Sequence, residues 1–155
     1  MKVKSLLAKA AKCKTQEDAN QLLYTLERVF GEARPLAGLD KNNSEAYMED
    51  DKPFVRFELN HKISDHYITM IRPEIRFGKL VVVVVTNCML DGKGMSSQSW
   101  EVVDDMDDAI EATDDQTTDD LVKRAKEQAI ANHAQLIERV GVPRLIAEKA
   151  ARQSW

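Results

Sequence analysis

The chain has 155 residues, of which 43% are hydrophobic and 31% are charged, and its formal net charge is -4. A domain of this length buries about 68 to 70% of the surface that its unfolded chain exposes, so it can form a core without disulfides or metals. This composition is typical of a globular protein and excludes a wholly disordered chain.

The N-terminal third predicts two amphipathic helices and then a long loop. Val3, Leu6 and Ala10 recur at helical spacing among lysines, and a second apolar stripe from Ala19 to Phe30 follows Thr15, which can cap a helix that Gly31 ends. Residues 31–52 show no clear period, apart from a short helix that we predict near 44–48. We therefore predict a long loop at residues 31–52, which is a candidate binding segment.

The middle of the chain changes to a period of two. Strands are predicted at 54–59, 66–71, 79–86 and 98–103, and their short connections indicate a four-stranded antiparallel meander over about residues 53–103. Three helices are predicted to follow: a short one after Asp104, a long one from Asp119 to about Val140 capped by Thr118, and a terminal one over residues 142–155. We therefore predict a single α+β domain spanning residues 1–155, with the terminal helix at its periphery.

The run of five valines from Val81 to Val85 raises the question of what covers both faces of its strand. Three valines left in water would forfeit about 5 to 9 kcal/mol, at roughly 1.5 to 3 kcal/mol each. That loss rivals the net stability of a whole domain, about 5 to 15 kcal/mol. We expect either helices on both faces or helices on one face and a second subunit on the other, and we favour a homodimer.

The residues typical of catalysis and metal binding form no convincing set. His61 and His66 are two ligands where zinc needs three or four, and Cys88 could meet His66 across the sheet but lacks an electropositive environment. With no cofactor fingerprint either, we predict a protein that is not an enzyme and has no catalytic, metal or cofactor site. No apolar run is long enough for a membrane span, and Cys13 and Cys88 lie far apart, so we predict a cytoplasmic protein with reduced thiols and no membrane contact.

Charge is strongly segregated along the chain. Residues 101–120 contain ten acids and no base, which exceeds what helix capping requires, so this segment is a candidate surface for a basic partner. The predicted partner-binding residues are Asp104, Asp105, Asp107, Asp108, Glu111, Asp114 and Asp115.

The two ends of the chain are basic and support an alternative. A helix, a turn at Gly141 and another helix have the outline of a helix-turn-helix, although Pro143 follows the turn. The nucleic-acid-binding residues would then be Lys2, Lys9, Lys12, Arg144, Lys149 and Arg152. DNA affinity that falls steeply with salt would identify this class.

These observations favour an accessory or regulatory protein that binds another macromolecule. The main hypothesis is protein-protein docking through the acidic segment and the 31–52 loop, and the alternative is nucleic-acid binding through the basic helices. The size and charge pattern suit a small accessory protein of phage or bacterial origin.

Overall fold

The computed structural model of the protein describes residues 1–34, 36, 39–63, 66–91 and 100–140. The helices are α1 (Val3–Ala11), α2 (Gln16–Gly31) and α3 (Thr118–Val140), and the strands are β1 (Asp40–Glu49), β2 (Lys52–Lys62), β3 (Tyr67–Arg76), β4 (Lys79–Asp91) and β5 (Trp100–Glu111). All five strands form one antiparallel sheet in the order β1-β2-β3-β4-β5. The α+β class is confirmed, and the meander has five strands rather than the predicted four.

The two N-terminal helices form as predicted. Val3, Leu6 and Ala10 are the buried residues of α1. The Thr15 hydroxyl accepts the N–H of Asp18 at 3.1 Å, while the Asp18 carboxylate accepts the N–H of Thr15 at 3.1 Å, so both halves of a capping box are present.

The 31–52 segment is not the predicted loop throughout, because residues 40–49 form β1, and the short helix predicted near 44–48 is part of this strand. This strand pairs with β2 from Asp40 opposite Asn60 to Glu49 opposite Lys52. All of its residues from Asp40 to Glu45 are exposed, so no alternation of apolar side chains marks it in the sequence. An edge strand of this kind is held by its hydrogen bonds with its neighbour rather than by burial.

The predicted helix after Asp104 is also wrong, because Asp104 to Glu111 continue β5. Met106, Ala109 and Ile110 have helical spacing, but only Ile110 of the three is buried. This strand pairs with β4 from Val81 opposite Glu111 to Asp91 opposite Trp100. The long β4 ladder therefore overrides a weak helical pattern, and β5 forms the second edge of the sheet.

The turns between neighbouring strands use backbone conformations that sequence patterns predict poorly. Asp50 and Asp51 have φ of 50° and 64°, and Phe77 and Gly78 have φ of 52° and 74°. Positive φ at both central residues of a two-residue loop is the conformation of a type I′ turn, which matches the twist of a hairpin. These two turns fix the registers of β1 with β2 and of β3 with β4.

Helix α3 begins one residue earlier than predicted. The Thr117 hydroxyl, not that of Thr118, accepts the N–H of Asp120 at 3.1 Å, and the Asp120 carboxylate accepts the N–H of Thr117 at 3.0 Å. Consecutive threonines and aspartates allow two overlapping caps, and the N–H of Thr118 is already bonded to the carbonyl of Met1 at 2.8 Å. The predicted terminal helix over 142–155 lies outside the described residues.

All three helices contribute to one core on one face of the sheet. Leu6 of α1, Phe30 of α2 and Leu121 of α3 belong to the same buried cluster as Val82 and Val84 of β4. A second cluster joins the end of α3 to the sheet and contains Ile63, Tyr67, Cys88, Leu136 and Ile137. Among the described residues, no helix has the length and apolar character that a membrane crossing requires.

Candidate docking face

The valine strand has one covered face and one open face. Leu80, Val82 and Val84 are at most 1% exposed because the three helices pack on their side of the sheet. Val81 and Val85 point the other way and are only half-buried. The expected cover on both faces is therefore present on one face alone within the described part of the chain.

The strand registers define which side chains share the open face with the odd-numbered valines. Residues that face each other across an antiparallel ladder point to the same side of the sheet. They include Glu45, Tyr47, Phe54, Arg56, Glu58, Lys62, Ile68, Met70, Arg72, Glu74, Arg76, Lys79, Val81, Val83, Val85, Asn87, Met89, Val102, Asp105, Asp107, Ala109 and Glu111.

The β1–β2 side of the open face is closed by its own aromatic residues. Tyr47 stacks on Phe54 with ring centroids 4.8 Å apart, and the guanidinium of Arg76 lies 5.1 Å from the centroid of Phe54. The guanidinium of Arg56 lies 5.8 Å from the same ring. Phe54 is consequently only 4% exposed although no helix covers it.

Ion pairs neutralise the arginines of this side. Arg56 lies 2.7 Å from Glu45, and Arg72 lies 3.4 Å from Glu58. The Asn43 amide also donates to Glu58 at 2.8 Å. Surface pairs of this kind add little stability, about 0 to 1 kcal/mol each, but they neutralise the charges of the guanidinium groups.

Arg76 is held in the same way. Its guanidinium donates two hydrogen bonds to the Glu49 carboxylate, at 3.1 and 3.2 Å. The arginines of the open face, Arg56, Arg72 and Arg76, therefore each have a carboxylate partner.

The β4–β5 side differs because its apolar side chains remain accessible and several of its carboxylates lack cationic partners. Val81, Val83 and Val85 lie opposite Glu74, Arg72 and Met70 on β3, and opposite Glu111, Ala109 and Asp107 on β5. Among the described residues, Glu74, Asp105 and Asp107 form no ion pair. We call this half of the open face the docking face, made up of Ile68, Met70, Glu74, Val81, Val83, Val85, Met89, Val102, Asp105, Asp107 and Ala109.

The structure divides the acidic residues that the sequence grouped together. Asp105 and Asp107 lie on the docking face, opposite Asn87 and Val85. Asp104 and Asp108 point to the covered face because they lie opposite the buried Cys88 and Val84.

The other acids of the predicted set have partners of their own or lie away from the docking face. Arg139 of α3 donates to the Asp104 carboxylate through Nη2 at 2.9 Å and through Nε. Lys79 lies 3.7 Å from Glu111, and the Thr113 hydroxyl donates to Asp115 at 2.6 Å. The hydrogen bond from Thr113 lowers the pKa of Asp115. Asp114 is exposed in the turn before α3.

Of the basic residues of the alternative hypothesis, Lys2, Lys9 and Lys12 lie in the described part of the chain. Lys2 forms an isolated bridge with Thr117, whereas Lys9 and Lys12 line a shallow depression beside Asp18 of α2. Lys14 and Thr15 donate backbone N–H groups to Asp18, which lowers the pKa of that carboxyl group. Arg144, Lys149 and Arg152 lie outside the described residues, and so does the turn at Gly141.

The thiols and the imidazole of His61 lie away from the docking face, whereas Nδ1 of His66 lies 3.3 Å from the carbonyl oxygen of Met89. Cys88 is fully buried beside Tyr67, and burial is the main cause that raises the pKa of its thiol. Burial likewise raises the pKa of Tyr67 and lowers that of His61. In the β3–β4 ladder Cys88 lies opposite Tyr67. The register therefore does not place the thiol opposite His66, as the sequence had suggested. A neutral buried thiol is a poor nucleophile.

No three histidine, cysteine, aspartate or glutamate side chains in the described ranges are grouped so that they could hold a metal ion. Comparison of the chain with protein-family models, with curated proteins and with solved structures gave no match.

Sequence reasoning predicted the valines of the docking face but missed the contribution of Glu74 from β3. Glu74, Met70 and Ile68 belong to a strand that we predicted to end at Ile71, whereas β3 runs on to Arg76 through Pro73. The ladder with β2 is interrupted between Ile71 and Glu74, where proline has no N–H to donate. The alternation from Ile68 to Glu74 was the available signal, and Pro73 obscured it.

Proposed function

We propose that this protein is a non-enzymatic binding protein that docks on another protein through the docking face. The observation that carries the proposal is the set of half-buried valines on β4 beside two carboxylates, Asp105 and Asp107, that have no cationic partner among the described residues. An exposed apolar patch bordered by polar groups is typical of a protein-interaction surface.

The electrostatics of the docking face support a basic partner. Three carboxylates accompany the apolar stripe, and the arginines of the neighbouring half are already neutralised by glutamates. A partner with lysines or arginines around an apolar centre would neutralise these charges while it buries the valines. Charge complementarity of this kind raises the rate of association and selects among partners.

Of the two contact surfaces expected from the sequence, the acidic segment is retained in part. The 31–52 loop is replaced by the open face of strands β3 to β5. Asp105 and Asp107 act at the docking face, whereas Asp104 and Asp108 lie on the covered side. Residues 40–49 of the 31–52 segment form β1, the edge strand on the far side of the sheet.

A photo-crosslinking amino acid tests the proposal directly. Val102 lies opposite Met89 on the docking face and is 51% exposed, while Ile130 on α3 is 42% exposed, so the two positions are similarly accessible. A benzoylphenylalanine at position 102, in cells that naturally express the chain, should form an adduct with another protein. The same group at position 130 should not, and Asp105→Lys with Asp107→Lys should abolish the adduct at 102.

Three other outcomes would overturn the proposal. An adduct at twice the mass of the chain would identify a homodimer instead. Equal cross-linking from positions 102 and 130 would show that the docking face has no special role. Affinity for duplex DNA at 50 mM salt that falls steeply as salt rises would favour nucleic-acid binding through the basic helices.

A further inference from the structure

We infer that the occupant of the docking face is a single basic amphipathic helix of the partner protein, lying along β4. This inference rests on the proposed function and specifies the chemistry of its ligand. The apolar side of the helix would cover Val81, Val83 and Val85, and its lysines or arginines would lie over Glu74 on one flank and Asp107 on the other.

The dimensions of the apolar stripe match one helix. It spans three neighbouring strands, β3 to β5, whose outer axes are about 10 Å apart at roughly 4.8 Å per strand. A helix with its side chains has a diameter of about 10 to 12 Å. From Val81 to Met89 the open side of β4 is about 27 Å long at roughly 3.4 Å per residue, which corresponds to about 18 residues of helix at 1.5 Å each. The half-buried Asn87 separates the apolar Val85 from Met89 on this side.

The charges flank the stripe on both sides. Glu74 lies opposite Val81 on β3, and Asp107 lies opposite Val85 on β5. Arg72, opposite Val83 on β3, is neutralised by Glu58. Asp105 extends the β5 flank to Asn87. A helix with an apolar stripe between two rows of basic residues is complementary to this arrangement, and helix-in-groove recognition uses such a distribution.

A second copy of this chain fits the docking face less well. Face-to-face packing of two identical sheets would bring Glu74, Asp105 and Asp107 of both copies into one interface. Each open face already uses Arg56, Arg72 and Arg76 in internal ion pairs, so these arginines are not available to neutralise the added acids. Like charges brought together at an interface cost several kcal/mol.

A partner strand that pairs with the edge of the sheet would not cover the open face either. A partner strand added to β5 would hydrogen-bond to the edge of the sheet and leave Val81 and Val83 in water. The half-buried valines therefore favour a ligand that lies over the face rather than beside it.

The binding test uses the full chain and a synthetic probe. The probe is a fluorescein-labelled 18-residue peptide of leucine and lysine, with leucines on one helical face and lysines on both flanks. A peptide of the same composition in scrambled order is its control. Fluorescence anisotropy at low salt should show binding of the helical peptide at least 10-fold tighter than binding of the scrambled one.

Variants of the chain localise the binding. The pair Asp105→Lys and Asp107→Lys should weaken peptide binding at least 10-fold, while two matched reversals on exposed positions of α3, Glu127→Lys with Glu138→Lys, should change it less than 2-fold. Val83→Asp should also weaken binding, with Ile130→Asp as the apolar control. Circular dichroism identifies any variant that fails to fold. If Val83→Asp does not fold, the charge reversals at the exposed Asp105 and Asp107 still test the inference.

Competition with the cross-link separates this inference from the proposed function. Excess unlabelled helical peptide should suppress the adduct formed at position 102. A protein adduct that persists would keep the docking face as a protein-binding surface and exclude a basic helix as its ligand. Equal binding of the helical and scrambled peptides, equal effects of the α3 and β5 reversals, or a dimer mass in sedimentation equilibrium that Val83→Asp abolishes would each overturn the inference.

Discussion

The two faces of β4 carry the same residue type and have different environments. Val82 and Val84 are fully buried beneath the helices, whereas Val81, Val83 and Val85 are half-buried on the open face. The difference shows that the burial of a side chain depends on where the helices pack and not on the strand sequence. It also shows why the open face is a candidate for binding, because apolar area that folding leaves exposed is available to a partner.

The largest expected effect comes from placing a charge on each face in turn. Val82→Asp puts a carboxylate into the core with no cation to pair with, and we expect it to lower the free energy of unfolding by about 4 kcal/mol or more. In Val83→Asp the carboxylate keeps contact with water, so the loss should be less than about half as large. Urea unfolding monitored by circular dichroism measures both.

An equal loss of stability in the two variants would contradict the contrast between the faces. It would mean that Val83 is as deeply enclosed as Val82 in solution. The open face would then be unavailable to a partner, and the proposed docking would lose its basis.

Thiol reactivity provides a second comparison of the faces. Burial raises the pKa values of Cys13 and Cys88, and both thiols are buried in the folded chain. A cysteine introduced by Val83→Cys on the open face should react with iodoacetamide at neutral pH at least about 100-fold faster than Cys88, because the reagent requires an accessible thiolate. Peptide mass spectrometry of quenched time points gives the three rates.

The denatured protein is the control for this measurement, since all three thiols should then react at similar rates. Rapid alkylation of Cys88 in the folded chain would contradict the prediction. Such a result would also revive the hypothesis of a cysteine nucleophile.

The smallest expected effect concerns the helix that covers the other face. Thr15→Ala removes one half of the α2 capping box and should cost about 1 kcal/mol of stability. Backbone N–H groups of Lys14 and then Thr15 lower the pKa of Asp18 below its usual 3.8. The carboxylate is therefore favoured in the folded state, and the stability that it contributes is present above its unfolded pKa and lost as the pH falls through its folded pKa.

The pH dependence should distinguish Asp18→Asn from the parent chain. The difference in unfolding free energy between the two should be greatest at neutral pH and disappear in acid below the folded pKa of Asp18. Asp119→Asn is a matched control, because Asp119 is also in a first helical turn but the carboxylate that accepts the capping N–H of Thr117 belongs to Asp120. A difference that stays constant with pH would show that Asp18 acts through packing rather than charge.

The helices and central strands could be predicted because their signals are local. The stripe from Ala19 to Phe30 with its capping box identifies α2, and the alternation from Phe54 to Leu59 identifies β2. The edge strands gave no such signal. The first six residues of β1 are all exposed, and Met106, Ala109 and Ile110 in β5 follow a helical spacing, so only pairing with β2 and β4 makes these segments strands.

The docking face could be predicted in part. The acidic run indicated the β5 region, but it did not separate Asp105 and Asp107 from Asp104 and Asp108, because the separation depends on the register with β4. The contribution of Glu74 from β3 was not predictable from a linear cluster of charges. Side chains from different strands meet only after the ladder has formed.

The sequence by itself determined the α+β class, the capped helix α2, and a central strand too apolar to stand alone. Each of these properties arises from neighbouring residues, through helical periodicity, local hydrogen bonds and side-chain hydrophobicity. The tertiary structure alone decided which face of that strand the helices cover and which acids accompany the exposed valines. A run of identical residues has no preferred side, and only the packing of distant helices on the sheet makes its two faces different.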